Sequence, residues 1–296
     1  MTAARLTGCG TALVTPFTAA GAVDEDALRA LVDWQIAEGI DFLVPCGSTG
    51  EAATLSPAEH RRVVDLVVAQ TNGRVPVVAG AASNDTRKAI ALSRDMEAAG
   101  ATHLLHASPM YNKPPQRGII AHFEAIARET TLPIVIYNVP GRTASNIEAR
   151  TTLALAKHPR MAAVKEASGN LAQITDILAE RPATFSVLSG DDEMTLALMA
   201  AGADGIISVV SNATPRLMAR LCERAAAGDF ATARELHFTL LPWMRAAFVE
   251  SNPLAAKAGL ALMGKIHNVL RLPLVPLDAK HEPAVRAALV HAGALA

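Results

Sequence analysis

The sequence has no cluster of positive charge. Its 27 Lys and Arg residues are balanced by 28 Asp and Glu, the net charge is -1, and no basic block interrupts the mixture. A nucleic-acid footprint needs such a block, so that partner class is excluded. Long apolar runs are missing as well. Mean hydropathy is +0.25, yet no stretch reaches the ~18 residues that span a bilayer, so no membrane partner is expected. The opening residues MTAARLTGCG hold no apolar segment of the secretory type, and they do not read as a transit peptide. Cysteine is sparse: Cys9, Cys46 and Cys222 are odd in number, far apart and outside metal-ligand spacing, which fits reduced thiols. The expectation is a soluble cytoplasmic protein. Phenols are scarce too, because aromatics make up 4% of the chain and only two of them are tyrosines.

What is present is apolar mass. In 296 residues, 51% are hydrophobic, enough for one large domain or a barrel-sized domain with an appendage. Short β-rich runs at 11–14, 42–46, 75–79, 103–106, 134–137, 162–165, 185–189 and 205–209 alternate with longer runs of helical period at 24–38, 56–71, 86–99, 117–130, 147–157, 171–181 and 193–201. Ser56-Pro57-Ala58-Glu59 is a capping box, and Gly39, Gly100 and Gly202 each follow a helical run as a left-handed cap would. Several strand runs are apolar throughout, as in parallel strands covered on both faces. Eight strand–helix units in residues 1–228 fit a (β/α)8 TIM barrel. An open doubly wound sheet is the alternative, because periodicity does not show closure. After Gly228-Asp229 only helical runs follow, at 230–249, 255–262 and 283–292, with a Pro-rich connector at 272–277. Residues 229–296 therefore read as a C-terminal α-helical appendage.

In such barrels the active site lies at the C-terminal ends of the strands. Lys165 ends an apolar strand there, where desolvation favours the neutral, nucleophilic amine. A structural ion pair with Glu166 or another carboxylate would place a lysine there equally well, and position alone leaves both open. Tyr111 and Tyr137 follow strands in matching contexts, Tyr111-Asn112-Lys113-Pro114 and Tyr137-Asn138-Val139-Pro140. Each is either a proton carrier beside an amine or a core tyrosine. Arg142, in the loop after Tyr137, can clamp a carboxylate or be solvated. Gly47-Ser48-Thr49-Gly50-Glu51 offers amides and hydroxyls to an anion. Gly8-Cys9-Gly10 begins a dinucleotide fingerprint but lacks its third glycine and precedes the first strand run. The nine histidines show no metal spacing, and Asp191-Asp192 reads as a loop or helix cap rather than a cation site. No organic cofactor and no metal is signalled.

With those residues in view, the chain resembles the pyruvate-dependent lyase family that includes dihydrodipicolinate synthase and N-acetylneuraminate lyase. The matching pieces are Gly47-Ser48-Thr49-Gly50-Glu51, Tyr137-Asn138-Val139-Pro140, Val164-Lys165-Glu166-Ala167, Ser189-Gly190-Asp191-Asp192 and Glu250-Ser251-Asn252-Pro253, in the family's order and across most of the chain. The resemblance implies a (β/α)8 barrel in which Lys165 forms a Schiff base with pyruvate. It makes Tyr137 the general acid/base, and Ser48 and Thr49 the binders of pyruvate's carboxylate. Ser48 also joins the proton relay, Tyr111 completes it from a neighbouring subunit of a dimer of dimers, and the Gly190 and Ile207 backbones line the pyruvate pocket.

The segment Asn138-Val139-Pro140-Gly141-Arg142-Thr143 resembles the synthase branch, in which the arginine holds the carboxylate of aspartate semialdehyde. That implies 4-hydroxy-tetrahydrodipicolinate formation, the entry step of lysine synthesis through diaminopimelate. Ser48 stands where the synthases more often carry threonine, and it keeps the hydroxyl. Two rivals remain: a pyruvate-releasing aldolase of a sugar acid such as N-acetylneuraminate or 2-keto-3-deoxygluconate, and a catalytically silent barrel. At the positions that form a lysine-inhibitor pocket in sensitive synthases, this chain carries Lys88, Met110 and Pro57, keeping His60 and Asn84. A lysine ammonium facing Lys88 would be repelled, so weak or absent feedback inhibition is expected.

Overall fold

The computed structural model describes residues 5–296, so residues 1–4 of the opening segment read above lie outside it. Eight parallel strands, β1 Gly8–Ala12, β2 Phe42–Val44, β3 Val78–Gly80, β4 His103–Ala107, β5 Ile134–Asn138, β6 Met161–Glu166, β7 Ser186–Ser189 and β8 Gly205–Ser208, run in the order β2-β1-β8-β7-β6-β5-β4-β3. The two ends of that order meet. Leu43 bridges Val77 in parallel, Leu43 N–H donates to Pro76 O at 3.0 Å, and Gly80 N–H donates to Pro45 O at 3.0 Å. The sheet is therefore a barrel rather than an open doubly wound sheet.

The helices between the strands are α1 Glu25–Ala37, α2 Pro57–Thr71, α3 Thr86–Ala98, α4 Gln116–Glu129, the short α5 Pro140–Thr143, α6 Ala149–Ala156, α7 Leu171–Glu180 and α8 Thr195–Ala200, and α9 Pro215–Ala226 follows β8. The capping box is present in full: Glu59 N–H donates to Ser56 Oγ at 3.2 Å and Ser56 N–H to Glu59 Oε2 at 2.9 Å, a cap worth about 1 kcal/mol. Gly39, Gly100 and Gly202 take φ of 90°, 86° and 107°, so the helix stops read from glycine are where the chain turns left-handed.

The first strand starts at Gly8, earlier than the apolar run at 11–14 suggested, and the Gly8-Cys9-Gly10 segment lies within it. Close packing explains the glycines. A Cβ on Gly10 would fall 2.0 Å from the Phe42 ring, and one on Gly205 would fall 1.9 Å from Gly8 O where β1 meets β8. The third strand starts at Val78 rather than 75, after Pro76. Side chains alternate along each strand. Phe42, Val44, Val78, Val135, Tyr137, Ala163 and Ile207 fill the barrel, whereas Ile134, Ile136 and Val164 face the surrounding helices.

Beyond α9 come α10 Phe230–Ala246, α11 Leu254–Leu262 and α12 Glu282–His291, with an irregular strap at 264–278. These helices share a core with the barrel. Trp243 is fully buried, its indole N–H donates to Val210 O at 3.1 Å, and Val285 and Leu289 join a cluster that includes Leu13 and Leu43. None of the described helices is long and apolar enough to cross a membrane.

Candidate active site

A cavity of about 320 Å³ opens at the C-terminal ends of the strands. Its lining includes Gly47, Ser48, Thr49, Tyr137, Arg142, Lys165 and Gly190, so the structure brings most of the residues singled out in the sequence into one pocket.

Lys165 and Tyr137 are register partners on β6 and β5 and both point into the barrel. Lys165 Nζ lies 4.3 Å from the centre of the Tyr137 ring. The lysine is 5% exposed, and burial lowers its pKa to about 8 against an opposing pull from the Asp192 carboxylate. At pH 7 about one amine in ten is then neutral, against roughly one in three thousand at the ordinary value. The ion-pair alternative is not what the geometry presents. No carboxylate lies within ion-pair distance of Nζ among the described residues. Glu166, on the opposite face of β6, accepts from Asn138 Nδ2 at 3.1 Å on both oxygens and from Ser168 N–H at 2.9 Å. Tyr137 is 8% exposed, and burial raises its phenol to about 12, with the nearby Arg142 opposing. It remains a proton donor across the physiological range.

The loop after β2 is strained and anchored. Cys46 and Glu51 both take left-handed φ, 56° and 54°, which costs about 1–2 kcal/mol for a residue with a Cβ. Turned this way, the loop leaves the amides of Ser48 and Thr49 without an acceptor among the described residues. Two adjacent free N–H groups are a ready receptor for a carboxylate. The Thr49 hydroxyl accepts from Asn252 Nδ2 at 2.9 Å, while Ser48 is open to the cavity. Gly190 gives Lys165 its room, since a Cβ there would stand 2.7 Å from Ala167 Cβ and 3.1 Å from Lys165 Cε.

Arg142 stands on α5, a single turn opened by Pro140, and its Nη2 donates to Asn252 O at 3.4 Å. Asp191 Oδ1 accepts from Glu193 and Met194 N–H at 3.0 and 3.3 Å, so it holds the turn that leads into α8, whose own N-cap is Met194 and carries no side-chain cap. Asp192 is buried, accepts from Ser208 Oγ at 2.5 Å and from Val209 N–H at 3.2 Å, and has its pKa raised by burial to about 6. No group of three metal-ligating side chains occurs among the described residues.

Two expected residues lie elsewhere. Tyr111 is 89% exposed, with φ 73°, outside the cavity of its own chain, and its N–H donates to Thr143 O at 3.2 Å. Ile207 is buried in the barrel and does not line the cavity; Val209, two residues on, does. Asn252, Met244 and Phe248 line the pocket without having been assigned a role. Asn252 stood within a matching motif, but it meets Arg142 across 110 residues of sequence, a separation that carries no spacing signal.

The sequence profile of the dihydrodipicolinate synthetase family matches residues 5–292. The chain belongs to that family. The 4-hydroxy-tetrahydrodipicolinate synthase of Koribacter versatilis is 51% identical, over 98% of this chain and 97% of its own length. Dihydrodipicolinate synthase from Thermotoga maritima superposes with a TM-score of 0.97 at 40% identity, covering 99% of this chain and 100% of that one. The chloride-inhibited enzyme of Acinetobacter baumannii, solved with pyruvate, gives a TM-score of 0.97 at 38% identity, covering 98% and 100%. Membership in the dihydrodipicolinate synthetase family makes the chain a lyase, with lysine synthesis through diaminopimelate as its setting, and sets aside the silent barrel.

Proposed function

We propose that this lyase condenses pyruvate with L-aspartate 4-semialdehyde to give 4-hydroxy-tetrahydrodipicolinate. The observation that carries the reading is a buried, unpaired Lys165 against Tyr137, in a cavity with Arg142 also in its wall. The neutral Nζ attacks the C2 carbonyl of pyruvate, and loss of water, with Tyr137 protonating the departing hydroxyl, leaves an iminium. The iminium acidifies the methyl group. Its proton leaves through the Tyr137 hydroxyl, and the resulting enamine carbon bonds to the aldehyde carbon, whose oxygen takes a proton. The amino group of the second substrate then adds at C2 and displaces Lys165, closing the ring. One water is released overall.

Ser48 and Thr49 receive pyruvate's carboxylate through their free amides, with the Gly190 backbone beside them. The Ser48 hydroxyl continues the proton relay from Tyr137. Arg142 receives the carboxylate of the semialdehyde. Arg142→Ala is expected to lower kcat/KM for the aldehyde by about 10²-fold, the loss of a charge-assisted contact worth ~2–3 kcal/mol, while pyruvate's KM changes by less than about twofold. Steady-state titration of each substrate checks this.

Tyr111 extends the relay from a neighbouring subunit in a homotetramer built as a dimer of dimers. Its near-complete exposure on a left-handed loop residue supports that role, because the hydroxyl is turned away from its own cavity and is free to reach a neighbouring subunit. Residues 229–296 act as a helical appendage to the barrel of residues 1–228, contributing Met244, Phe248 and Asn252 to the cavity wall. A cytoplasmic location accords with three free, buried cysteines.

Weak or absent inhibition by lysine is part of the proposal. Lys88 is exposed on α3 and Met110 precedes Tyr111, while His60 Nε2 lies 2.8 Å from Gly80 O and Asn84 Nδ2 donates to Met110 O at 3.1 Å. Half-inhibition at sub-millimolar lysine would contradict it.

The test is a coupled assay, with added dihydrodipicolinate reductase and NADPH. NADPH loss that needs both pyruvate and aspartate semialdehyde supports the reading. No NADPH loss, with pyruvate released from N-acetylneuraminate or 2-keto-3-deoxygluconate, would replace it with a sugar-acid aldolase.

A further inference from the structure

Ten residues of loop, 46–55, carry the two free amides of the site, and their far end is fastened by charges that the proposed reaction does not use. Glu51 and Lys257 form an ion pair at 2.5 Å with both side chains fully buried. The other carboxylate oxygen of Glu51 accepts from Arg271 N–H at 3.1 Å. Lys257 also donates to Val269 O at 2.8 Å, and its Nζ stands 4.1 Å from the centre of the Phe17 ring. The Arg271 guanidinium packs on the same ring at 4.4 Å and donates to Thr54 O at 3.0 Å. The strap and α11 thus hold the loop at residues 51 and 54. The segment leading into α11 holds it again at residue 49, through Asn252.

Such a pair is a poor way to gain stability. Desolvating two ions offsets most of their attraction, and apolar replacements of the same volume are often neutral or stabilising. What a buried pair bonded on both sides does supply is a single geometry, and Glu51 is held in a strained left-handed conformation.

We propose that Glu51 and Lys257 are positioning residues of the reaction, their buried pair locking the Ser48–Thr49 loop in the conformation that presents two free amides to pyruvate's carboxylate. The inference rests on the pyruvate site proposed above and adds the groups that hold it in shape. They hold the pyruvate loop directly, whereas Arg142 makes no hydrogen bond or ion pair with either of them.

The test is steady-state kinetics on two variants of the full chain. Glu51→Gln is isosteric and still able to accept from Arg271 N–H. Glu51→Gln/Lys257→Met removes both charges and leaves no ion unpaired. Each is expected to raise pyruvate's KM about tenfold, and to slow borohydride trapping of the pyruvate adduct at low pyruvate in proportion. The aldehyde's KM is expected to move by less than about twofold. Tm is expected to move by a few degrees at most in the double variant, and to fall further in Glu51→Gln, which leaves the buried Lys257 without its carboxylate. A folded variant with unchanged pyruvate KM overturns the proposal. So does an equal rise in both KM values that follows a loss of Tm, which is the signature of a purely structural pair. If the wild-type chain forms no pyruvate adduct under borohydride, the pyruvate site itself fails and this inference with it. An adduct without turnover of aspartate semialdehyde would overturn the aldehyde assignment alone, and the trapping rates still decide the inference.

Discussion

Lys165→Ala is expected to lower kcat by at least about 10⁴-fold, with little change in Tm. The size follows from chemistry. Without the amine there is no imine, and without the imine the methyl group of pyruvate is not acidic enough to lose a proton near pH 7. The small stability effect follows from burial, because Lys165 makes no ion pair among the described residues and its ammonium is held away from water. Lys165→Arg is expected to be as inactive, because a guanidinium stays protonated and cannot attack a ketone. The wild-type enzyme should show the matching pH dependence. Its nucleophile is the deprotonated form of a group with pKa about 8, so the rate of imine formation rises with pH up to about 8 and levels off above it. Rapid-mixing measurement of imine formation between pH 6 and 10 checks this. A rate independent of pH across that range would contradict it.

Tyr137→Phe is expected to lower kcat by about 10²–10⁴-fold, the span of a general acid/base contribution. The ring stays, and with it the packing over Lys165 at 4.3 Å. Only the proton carrier is lost. The defect should appear in both proton-transfer stages, so borohydride trapping of the imine slows together with turnover while pyruvate's KM holds within about threefold. The phenol has a pKa of about 12, so at neutral pH it donates its proton and must be reprotonated after each cycle, which gives the Ser48 hydroxyl and a second tyrosine their use in the relay. Turnover within about twofold of wild type would remove Tyr137 from the chemistry.

Much of this was legible because the barrel repeats a local rule. Apolar runs mark strands buried on both faces, glycines mark helix ends, and Ser56 with Glu59 forms a cap inside four residues, so the order of elements follows from short windows. Closure did not follow, since it depends on Leu43 meeting Val77 and on the glycines that let β1 pass close to β8 and Phe42. The early start of β1 was hidden for the same reason: Gly8 and Gly10 serve a close approach between strands and read locally as turn formers. At the site, Lys165 and Tyr137 stood at strand ends in the sequence, and strand pairing makes them register partners. The contribution of Asn252 and the fastening of Glu51 by Lys257 join residues about two hundred positions apart, as the separations of 203 and 206 show. No local pattern carries such a contact.

Burial alone does not single out the nucleophile. Lys257 is as deeply buried as Lys165, and burial lowers its pKa to about 8 as well. The two differ in their partners. Lys257 is committed to Glu51 and Val269, whereas Lys165 faces a cavity with no carboxylate in ion-pair reach among the described residues. The most direct measurement exploits that contrast: incubate the enzyme with pyruvate, reduce with borohydride, and map the modified peptide by mass spectrometry. The account requires one reduced pyruvyl group on Lys165 and on no other lysine. A group on Lys257, or no adduct at all, would contradict it.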